Sequence, residues 1–327
     1  MSHIEIEVAR YAGVCYGVER ALSMAEKAAD EALKPVNTLG PLIHNPLVVD
    51  DLESIGVGTA SSVSEVEEGT LIIRAHGVVP SVVEDARARG LDVLDATCPY
   101  VKKVHNAAER LVREGYQLIV VGESGHPEVE GIMGHAGDDA YVVSVPGDLD
   151  AIDLSRKVGV VVQTTQTPRA LADVVAELSK RTMDLRVINT ICSATQERQD
   201  SAAELARRVD AMIVVGGKNS GNTRRLAEIC TAACPKTHHI EDASEIEATW
   251  FDGVSYIGVT QALRRLPRIL SAPLSACGAF WSPDGRTRFE HALGTHVCGH
   301  RCAICPVKGS LFRRCHRFVG DPRFSSI

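Results

Sequence analysis

The sequence feature that constrains the fold most is a junction that occurs three times: an apolar run, then a cysteine, then a helical pattern. In the middle junction the apolar run leads to Cys98, and Pro99 follows at the first helical position, where proline is favoured. Comparable junctions surround Cys15 and Cys192. Free N–H groups at a helix N-terminus favour an anion, so each cysteine could be a stabilised thiolate or a ligand of an anionic metal–sulfur cluster. Taken alone, Cys98 is more simply a buried free thiol.

Apolar stretches that predict strands alternate with helical patterns along most of the chain; four such strands are predicted at residues 70–76, 117–122, 157–165 and 211–216. This alternation predicts an α/β fold with mainly parallel sheets and with sites at the carboxyl ends of the strands. The three cysteines are separated by 83 and 94 residues. We therefore expect three similar lobes, 1–98, 99–192 and 193–260, each delivering one cysteine to a shared centre. The N-terminal strand is also compatible with the third lobe.

Composition limits the classes of protein that remain. A chain of 327 residues is long for one hydrophobic core, which agrees with several lobes. No apolar run approaches the roughly 20 residues that span a bilayer, and the polar N-terminus does not resemble a signal peptide. We expect a cytoplasmic protein with no membrane or nucleic-acid partner. In that reducing compartment its ten cysteines are expected to be ligands, nucleophiles or core residues rather than disulfides.

The charge distribution changes abruptly near residue 260. Residues 1–260 carry 24 Lys and Arg against 39 Asp and Glu, a net charge of −15, whereas residues 261–327 carry 11 against 3, a net charge of +8. The second segment also holds five of the ten cysteines. We treat 261–327 as a separate, aberrant tail and expect it to be poorly ordered.

The three widely spaced cysteines are compatible with zinc or with an iron–sulfur cluster. Structural zinc sites usually contain close C-x₂₋₄-C pairs, and Cys15, Cys98 and Cys192 have no such partners. Cluster ligands are thiolates. A cluster held by only three cysteines would leave one iron open to a substrate.

Polar side chains collect in loops beside the strands. One loop histidine is usually a surface residue, but several with an acid and strand-end hydroxyls are better explained by an anionic ligand and a proton relay. In a closed cavity Glu128 could act as a general acid, and Glu130 is the weaker candidate. The stretch Ser220-Gly-Asn222 could seat a phosphate at a helix start or simply cap that helix. The candidates are His44, His76, His126, Glu128, Thr164, Thr165, Ser220 and Asn222.

Together these stretches resemble the LytB family, the 4-hydroxy-3-methylbut-2-enyl diphosphate reductases that end the non-mevalonate isoprenoid pathway. The resemblance covers about residues 4–260 in the family's order. The matching stretches are Gly13-Val-Cys15-Tyr-Gly-Val, Ile43-His44-Asn, Ala75-His76-Gly, Asp95-Ala-Thr-Cys98-Pro, Gly125-His126-Pro-Glu128-Val-Glu-Gly, Gln163-Thr164-Thr165, Ile191-Cys192-Ser-Ala-Thr-Gln-Glu-Arg-Gln and Gly217-Lys-Asn-Ser220-Gly-Asn222-Thr.

The resemblance implies a 4Fe–4S cluster, bound by Cys15, Cys98 and Cys192, whose fourth iron binds the allylic hydroxyl of the substrate. It implies that Glu128 supplies protons with help from His126 and Thr164. Two electrons, from a ferredoxin or a flavodoxin, and two protons would remove the hydroxyl as water, giving isopentenyl and dimethylallyl diphosphates. The implied diphosphate ligands are His44, His76, His126, Ser220, Gly221 and Asn222.

The sequence departs from the family pattern at two places. Gly221 stands where the family often has a second serine. After Gly258-Val-Thr260 the family continues Ala-Gly-Ala-Ser, with a serine that binds the diphosphate, whereas this chain continues Gln-Ala-Leu-Arg-Arg-Leu-Pro267. For one allowed codon string, loss of one base from the Thr260 codon converts the family motif into this sequence. We therefore expect a frameshifted tail and a diphosphate site that lacks one wall.

Three rival interpretations stay open. Cys298, Cys302, Cys305 and His300 have zinc-like spacing, so the tail could be an appended zinc module. The whole chain could be a non-catalytic iron–sulfur redox sensor, which would need the three cysteines but not the diphosphate residues. A zinc hydrolase using His126 and Glu128 is a weaker alternative, because no H-E-x-x-H pair is present.

Overall fold

Three sheets form the frame of the computed structural model, which describes residues 3–261, 279–281 and 286–290. Eight α-helices lie between the strands in this part of the chain, and five of them begin with proline. The strands are β1 His3–Val8, β2 Val36–Leu39, β3 Val57–Ala60, β4 Thr70–Ile73, β5 Asp92–Asp95, β6 Gln117–Val121, β7 Ala140–Val143, β8 Lys157–Val162, β9 Asp184–Val187, β10 Ala211–Val215, β11 Thr237–Ile240, β12 Tyr256–Gln261, β13 Ala279–Trp281 and β14 Arg286–Glu290. The helices are α1 Tyr16–Glu31, α2 Pro46–Ser54, α3 Pro80–Ala88, α4 Pro99–Arg113, α5 Pro127–Ala136, α6 Pro168–Arg181, α7 Ser193–Ala206 and α8 Gly221–Ala233.

The three sheets share one strand order. The first is β3-β2-β4-β5 and the second is β7-β6-β8-β9, and every pairing in them is parallel. The third contains β11-β10-β12-β1, also parallel, so the N-terminal strand takes the fourth position there. The α/β fold with parallel sheets is thereby confirmed. Beyond β1 the third sheet continues with β14 and β13 in antiparallel pairing.

The chain passes from one sheet to the next at each of the three cysteines. Strand β1 of the third sheet leads through Cys15 into α1, which packs on the first sheet. Strand β5 leads through Cys98 into α4, which packs on the second sheet, and β9 leads through Cys192 to α7, which packs on the third. Each cysteine therefore lies at a crossing between two sheets.

Burial explains why the sequence predicts the central strands correctly. All residues of β4, β6 and β10 are buried, and these strands are nearly continuous apolar runs, as expected when helices cover both faces of a parallel sheet. Edge strands such as β9 and β11 are mostly half-buried and carry more polar residues.

Two sequence-based assignments are wrong. The segment around Glu128 was expected to be a loop, but it forms the first turn of α5, which His126 caps by accepting a hydrogen bond from the Glu128 N–H. The strand expected to reach Cys192 ends at Val187. The predicted tail 261–327, with its zinc-like cluster, lies mostly outside the described residues. Within the described part of the chain, no helix is long and apolar enough to cross a membrane.

Candidate active site

The crevices between the first and third strands of the three sheets converge on one cavity. In a parallel sheet this is the position where the strand order reverses and where ligands bind. Loops after β2 and β4 carry His44 and His76, and loops after β6 and β8 carry His126 and Thr164. The loop after β10 carries Ser220 and its neighbours. All of the site residues predicted from the sequence line this cavity, except Glu130, which faces a neighbouring cleft.

The three cysteines occupy equivalent positions at the cavity. Cys15, Cys98 and Cys192 are the N-cap residues of α1, α4 and α7, and none of their side chains makes a capping hydrogen bond. Space for their sulfurs depends on Gly17: a Cβ there would lie 2.4 Å from Cys98 Sγ and 3.9 Å from Cys15 Sγ. The sulfurs are therefore directed into the cavity, beside three helix N-termini that favour anionic ligands.

The environment of Cys98 shows that the sulfurs are neighbours. Burial raises the pKa of its thiol, as do Cys15 and Cys192, whereas the backbone N–H groups of Tyr100 and Val101 lower it. In the described part of the chain no three His, Cys, Asp or Glu side chains converge closely enough to hold a single metal ion. An iron–sulfur cluster requires less convergence, because its cysteines bind different irons.

Three imidazoles form one wall of the cavity. The ring centroids of His44 and His76 are 4.2 Å apart, and His126 lies 5.5 and 5.7 Å from them. His126 Nδ1 accepts the N–H of Glu128 at 3.1 Å, which leaves Nε2 to carry the proton of the neutral ring. His44 Nε2 and His76 Nδ1 are buried without a hydrogen-bond partner. Buried polar atoms without partners are unusual in proteins, so these two indicate that a polar ligand completes the site.

Burial, together with nearby positive charge, keeps these histidines neutral. The pKa of His126 is lowered to about 4 by burial and by the charges of His44, Arg224 and Arg74. Burial, together with Arg74 and Arg224, also lowers the pKa of His44. The pKa of His76 is lowered well below its usual value by burial and by its charged neighbours. The wall thus consists of neutral donors backed by guanidinium groups, an arrangement that suits a multiply charged anion.

Glu128 is the buried acid of the site, with 2% of its surface exposed. Thr164 donates its backbone N–H to Oε1 at 2.7 Å and its hydroxyl to Oε2 at 2.8 Å. Burial raises the pKa of Glu128 to about 7, although these two hydrogen bonds oppose the shift. A carboxyl group with this pKa can both release and regain a proton near neutral pH.

The third lobe contributes the start of α8. Ser220 is its N-cap, and the Thr223 N–H donates to the Ser220 hydroxyl at 3.4 Å, so capping and ligand binding are both open to this residue. Asn222 Oδ1 is buried without a partner. A Cβ at Gly217 would lie 2.3 Å from the His44 carbonyl oxygen, so the glycine allows this loop to approach the first lobe closely.

Sequence reasoning missed several residues that either line the cavity or act on its histidines by charge. Arg74 and Arg224, which act on the histidines by charge, were not singled out, although Arg74 stands two residues before His76. Thr195 and Arg198 of α7 also line the cavity. Both belong to the stretch beginning at Ile191 that matches the family pattern. That match, directly after Cys192, was the sequence feature that could have identified them as site residues.

Comparison with known proteins identifies the family. The model of the LytB protein family matches residues 6–264. The chain belongs to the LytB family. The 4-hydroxy-3-methylbut-2-enyl diphosphate reductase of Trichlorobacter lovleyi is 49% identical over 257 residues, which cover 79% of this chain and 91% of that relative. The enzyme of the same name from Geobacter sulfurreducens is also 49% identical over 257 residues, with the same coverage.

A solved LytB structure agrees with these relatives. It is described as (E)-4-hydroxy-3-methyl-but-2-enyl diphosphate reductase, the terminal enzyme of the non-mevalonate pathway. It is 45% identical to this chain, covers 83% of this chain and 97% of its own, and superposes with a TM-score of 0.62. LytB enzymes are iron–sulfur proteins. The three convergent cysteine sulfurs at helix N-termini fit such a group.

Proposed function

We propose that this chain is a 4-hydroxy-3-methylbut-2-enyl diphosphate reductase, an oxidoreductase that removes the allylic hydroxyl of its substrate as water. The observation that carries the proposal is the convergence, in one cavity, of three cysteine thiols, a histidine wall and a buried acid with a pKa of about 7. A redox sensor needs the thiols alone. It would not require unpartnered buried nitrogens at His44 and His76 or a neutral buried carboxyl.

The cysteines Cys15, Cys98 and Cys192 would hold one 4Fe–4S cluster with its fourth iron open. Bound there, the cluster would supply the electrons and a Lewis-acidic site for the substrate hydroxyl. In the overall reaction two electrons and two protons enter, the carbon–oxygen bond breaks, and water leaves. The electrons would come from a ferredoxin or flavodoxin. The expected cytoplasmic location stays a prediction.

The protein's own residues would bind the diphosphate and deliver protons. His44, His76 and His126 present neutral N–H groups, and Arg74 and Arg224 add positive charge behind them. Ser220, the Gly221 N–H and Asn222 would complete the cradle at the start of α8. These groups would orient the allylic end toward Glu128.

Glu128 would be the proton donor. At neutral pH a large share of its carboxyl is protonated, and transfer to the departing hydroxyl leaves a carboxylate that the two Thr164 hydrogen bonds stabilise. Proton release by Glu128 would therefore depend on Thr164, which lies in the loop after β8. His126 positions the acid through its hydrogen bond with the Glu128 N–H.

An anaerobic assay tests the proposal. Protein reconstituted with iron and sulfide should turn brown and oxidise reduced viologen only when the allylic diphosphate is added. Glu128→Gln should retain the cluster and lose turnover, whereas Glu130→Gln, on the same helix but outside the cavity, should remain active. A brown protein that never consumes viologen would favour the redox sensor. A colourless protein containing zinc would overturn the proposal.

A further inference from the structure

Arg198 is a buried cation that the proposed chemistry does not use. It lies on α7, six residues after Cys192, and only 8% of its surface is exposed. It lines the same cavity as the three cysteines. A buried guanidinium is costly unless its charge is compensated and its N–H groups are satisfied.

The hydrogen bonds of Arg198 connect the surroundings of two cysteines. Its Nε and Nη2 donate to the Gly13 carbonyl at 3.2 and 2.9 Å, and its Nη1 donates to the Ala194 carbonyl at 3.1 Å. Gly13 lies two residues before Cys15, and Ala194 lies two residues after Cys192. The guanidinium therefore joins the loop of one ligand to the helix of another.

These partners satisfy N–H groups but leave the positive charge without an ion pair. Among the described residues, no carboxylate lies within 4.0 Å of Arg198, whereas Arg224 and Arg225 at the start of α8 both pair with Glu123. Besides Glu128 and a bound diphosphate, the anions that this cavity can offer are the thiolates and whatever they bind, and the hydrogen bonds of Arg198 hold it to the backbone beside two of those cysteines. A positive charge held close to an iron–sulfur cluster favours its reduced form, because reduction adds negative charge.

We infer that Arg198 is a positioning residue that ties the Cys15 loop to α7 and acts as the resident counter-charge of the metal centre. Its charge raises the reduction potential of the bound cluster, and its hydrogen bonds keep two cluster ligands in register across two lobes. The counter-charge role rests on the proposed iron–sulfur centre. The tether does not, since its hydrogen bonds involve the protein alone.

Redox titration of the reconstituted protein tests the counter-charge. Arg198→Met should shift the midpoint potential of the cluster to a more negative value, and Arg198→Lys should recover part of the shift. The matched control is Arg207→Met, which removes the same charge from the exposed C-terminal end of α7 and should leave the potential unchanged. Equal potentials in the wild type and Arg198→Met, or an equal shift in the control, would overturn this role.

Hydrogen–deuterium exchange in the metal-free protein tests the tether separately. Amides around residues 13–16 should exchange several-fold faster in Arg198→Met than in the wild type and in Arg207→Met. Unchanged exchange at these amides would contradict the tether role of Arg198. If the wild-type protein binds no cluster, the proposed function and the counter-charge role both fail, while the exchange result still decides the tether. If Arg198→Met does not fold, Arg198→Lys is compared with the wild type in both measurements.

Discussion

At the scale of single residues, the site depends on groups whose protonation is shifted by burial and by neighbouring charge. Glu128 is held closer to its neutral form and His126 is held in its neutral form. Both pKa shifts favour the uncharged form of the side chain. A pKa that differs between the folded and unfolded states also makes the stability of the protein depend on pH. The two pKa shifts can therefore be measured on the metal-free protein.

We expect Glu128→Gln to increase the stability of the metal-free protein above pH 7. The pKa of Glu128 in the folded state, about 7, exceeds the ordinary glutamate value of 4.5, so the folded state binds the proton more tightly than the unfolded state. The wild type therefore loses stability as pH rises from 4.5 through 7, by about 3 kcal/mol in total. Urea unfolding of both proteins at pH 5 and pH 8 measures this. A stability difference that does not grow with pH contradicts the shift, and Glu130→Gln is the control.

Binding of inorganic pyrophosphate should take up protons near pH 6. Burial and, after it, positive neighbours lower the pKa of His126 to about 4, and a bound anion opposes the part of that shift that comes from charge. We expect uptake of up to about one proton, which His126→Gln should reduce. Calorimetry in two buffers with different ionisation enthalpies measures the uptake. Identical binding enthalpies in both buffers would rule it out.

At the scale of helices and strands, the first turn of α1 makes room for the cysteine sulfurs that we propose as cluster ligands. Gly17→Ala places a methyl group 2.4 Å from Cys98 Sγ. Alanine also favours a helix over glycine by roughly 1 kcal/mol. We expect the variant to fold normally but to bind much less iron after reconstitution. Gly147→Ala, whose Cβ would have nothing within 4 Å, is the control. Full iron content in Gly17→Ala would show that the sulfurs do not need this space.

The sequence correctly predicts those strands and helices whose pattern of apolar and polar residues follows their burial in the fold. Strands β4, β6 and β10 are buried throughout and read as apolar runs, and Pro99 marks the start of α4. The start of α5 was missed because the polar residues His126 and Glu128 face the closed cavity and obscure the helical pattern. Arg74 and Arg198 were missed for another reason. Their roles depend on charge and on hydrogen bonds between lobes, which local sequence does not encode.

At the scale of the whole molecule, each of the three sheets places its residues at the cavity in the same way. In each sheet the loop after the first strand provides polar residues of the cavity, and the fourth strand leads to a cysteine. The loop after the third strand provides His76 in the first lobe and Thr164 in the second. In the third lobe this position follows β12, which ends at Gln261. The family match ends at residue 264, and the departure from the family pattern predicted after Thr260 would fall on the segment that follows this strand.

Restoring one base in the codon of Thr260 should therefore improve substrate binding. With the codon string that relates the two sequences, the restored frame would read Ala-Gly-Ala-Ser-Ala-Pro after Thr260 and would return a hydroxyl to the proposed diphosphate cradle. A hydrogen bond to a charged group contributes about 1.5–3 kcal/mol, which corresponds to roughly 10- to 100-fold tighter pyrophosphate binding and a lower KM. The control is the restored chain with alanine in place of the new serine, which should lose most of the gain. Equal affinity in all three proteins would show that this loop does not contribute a diphosphate ligand.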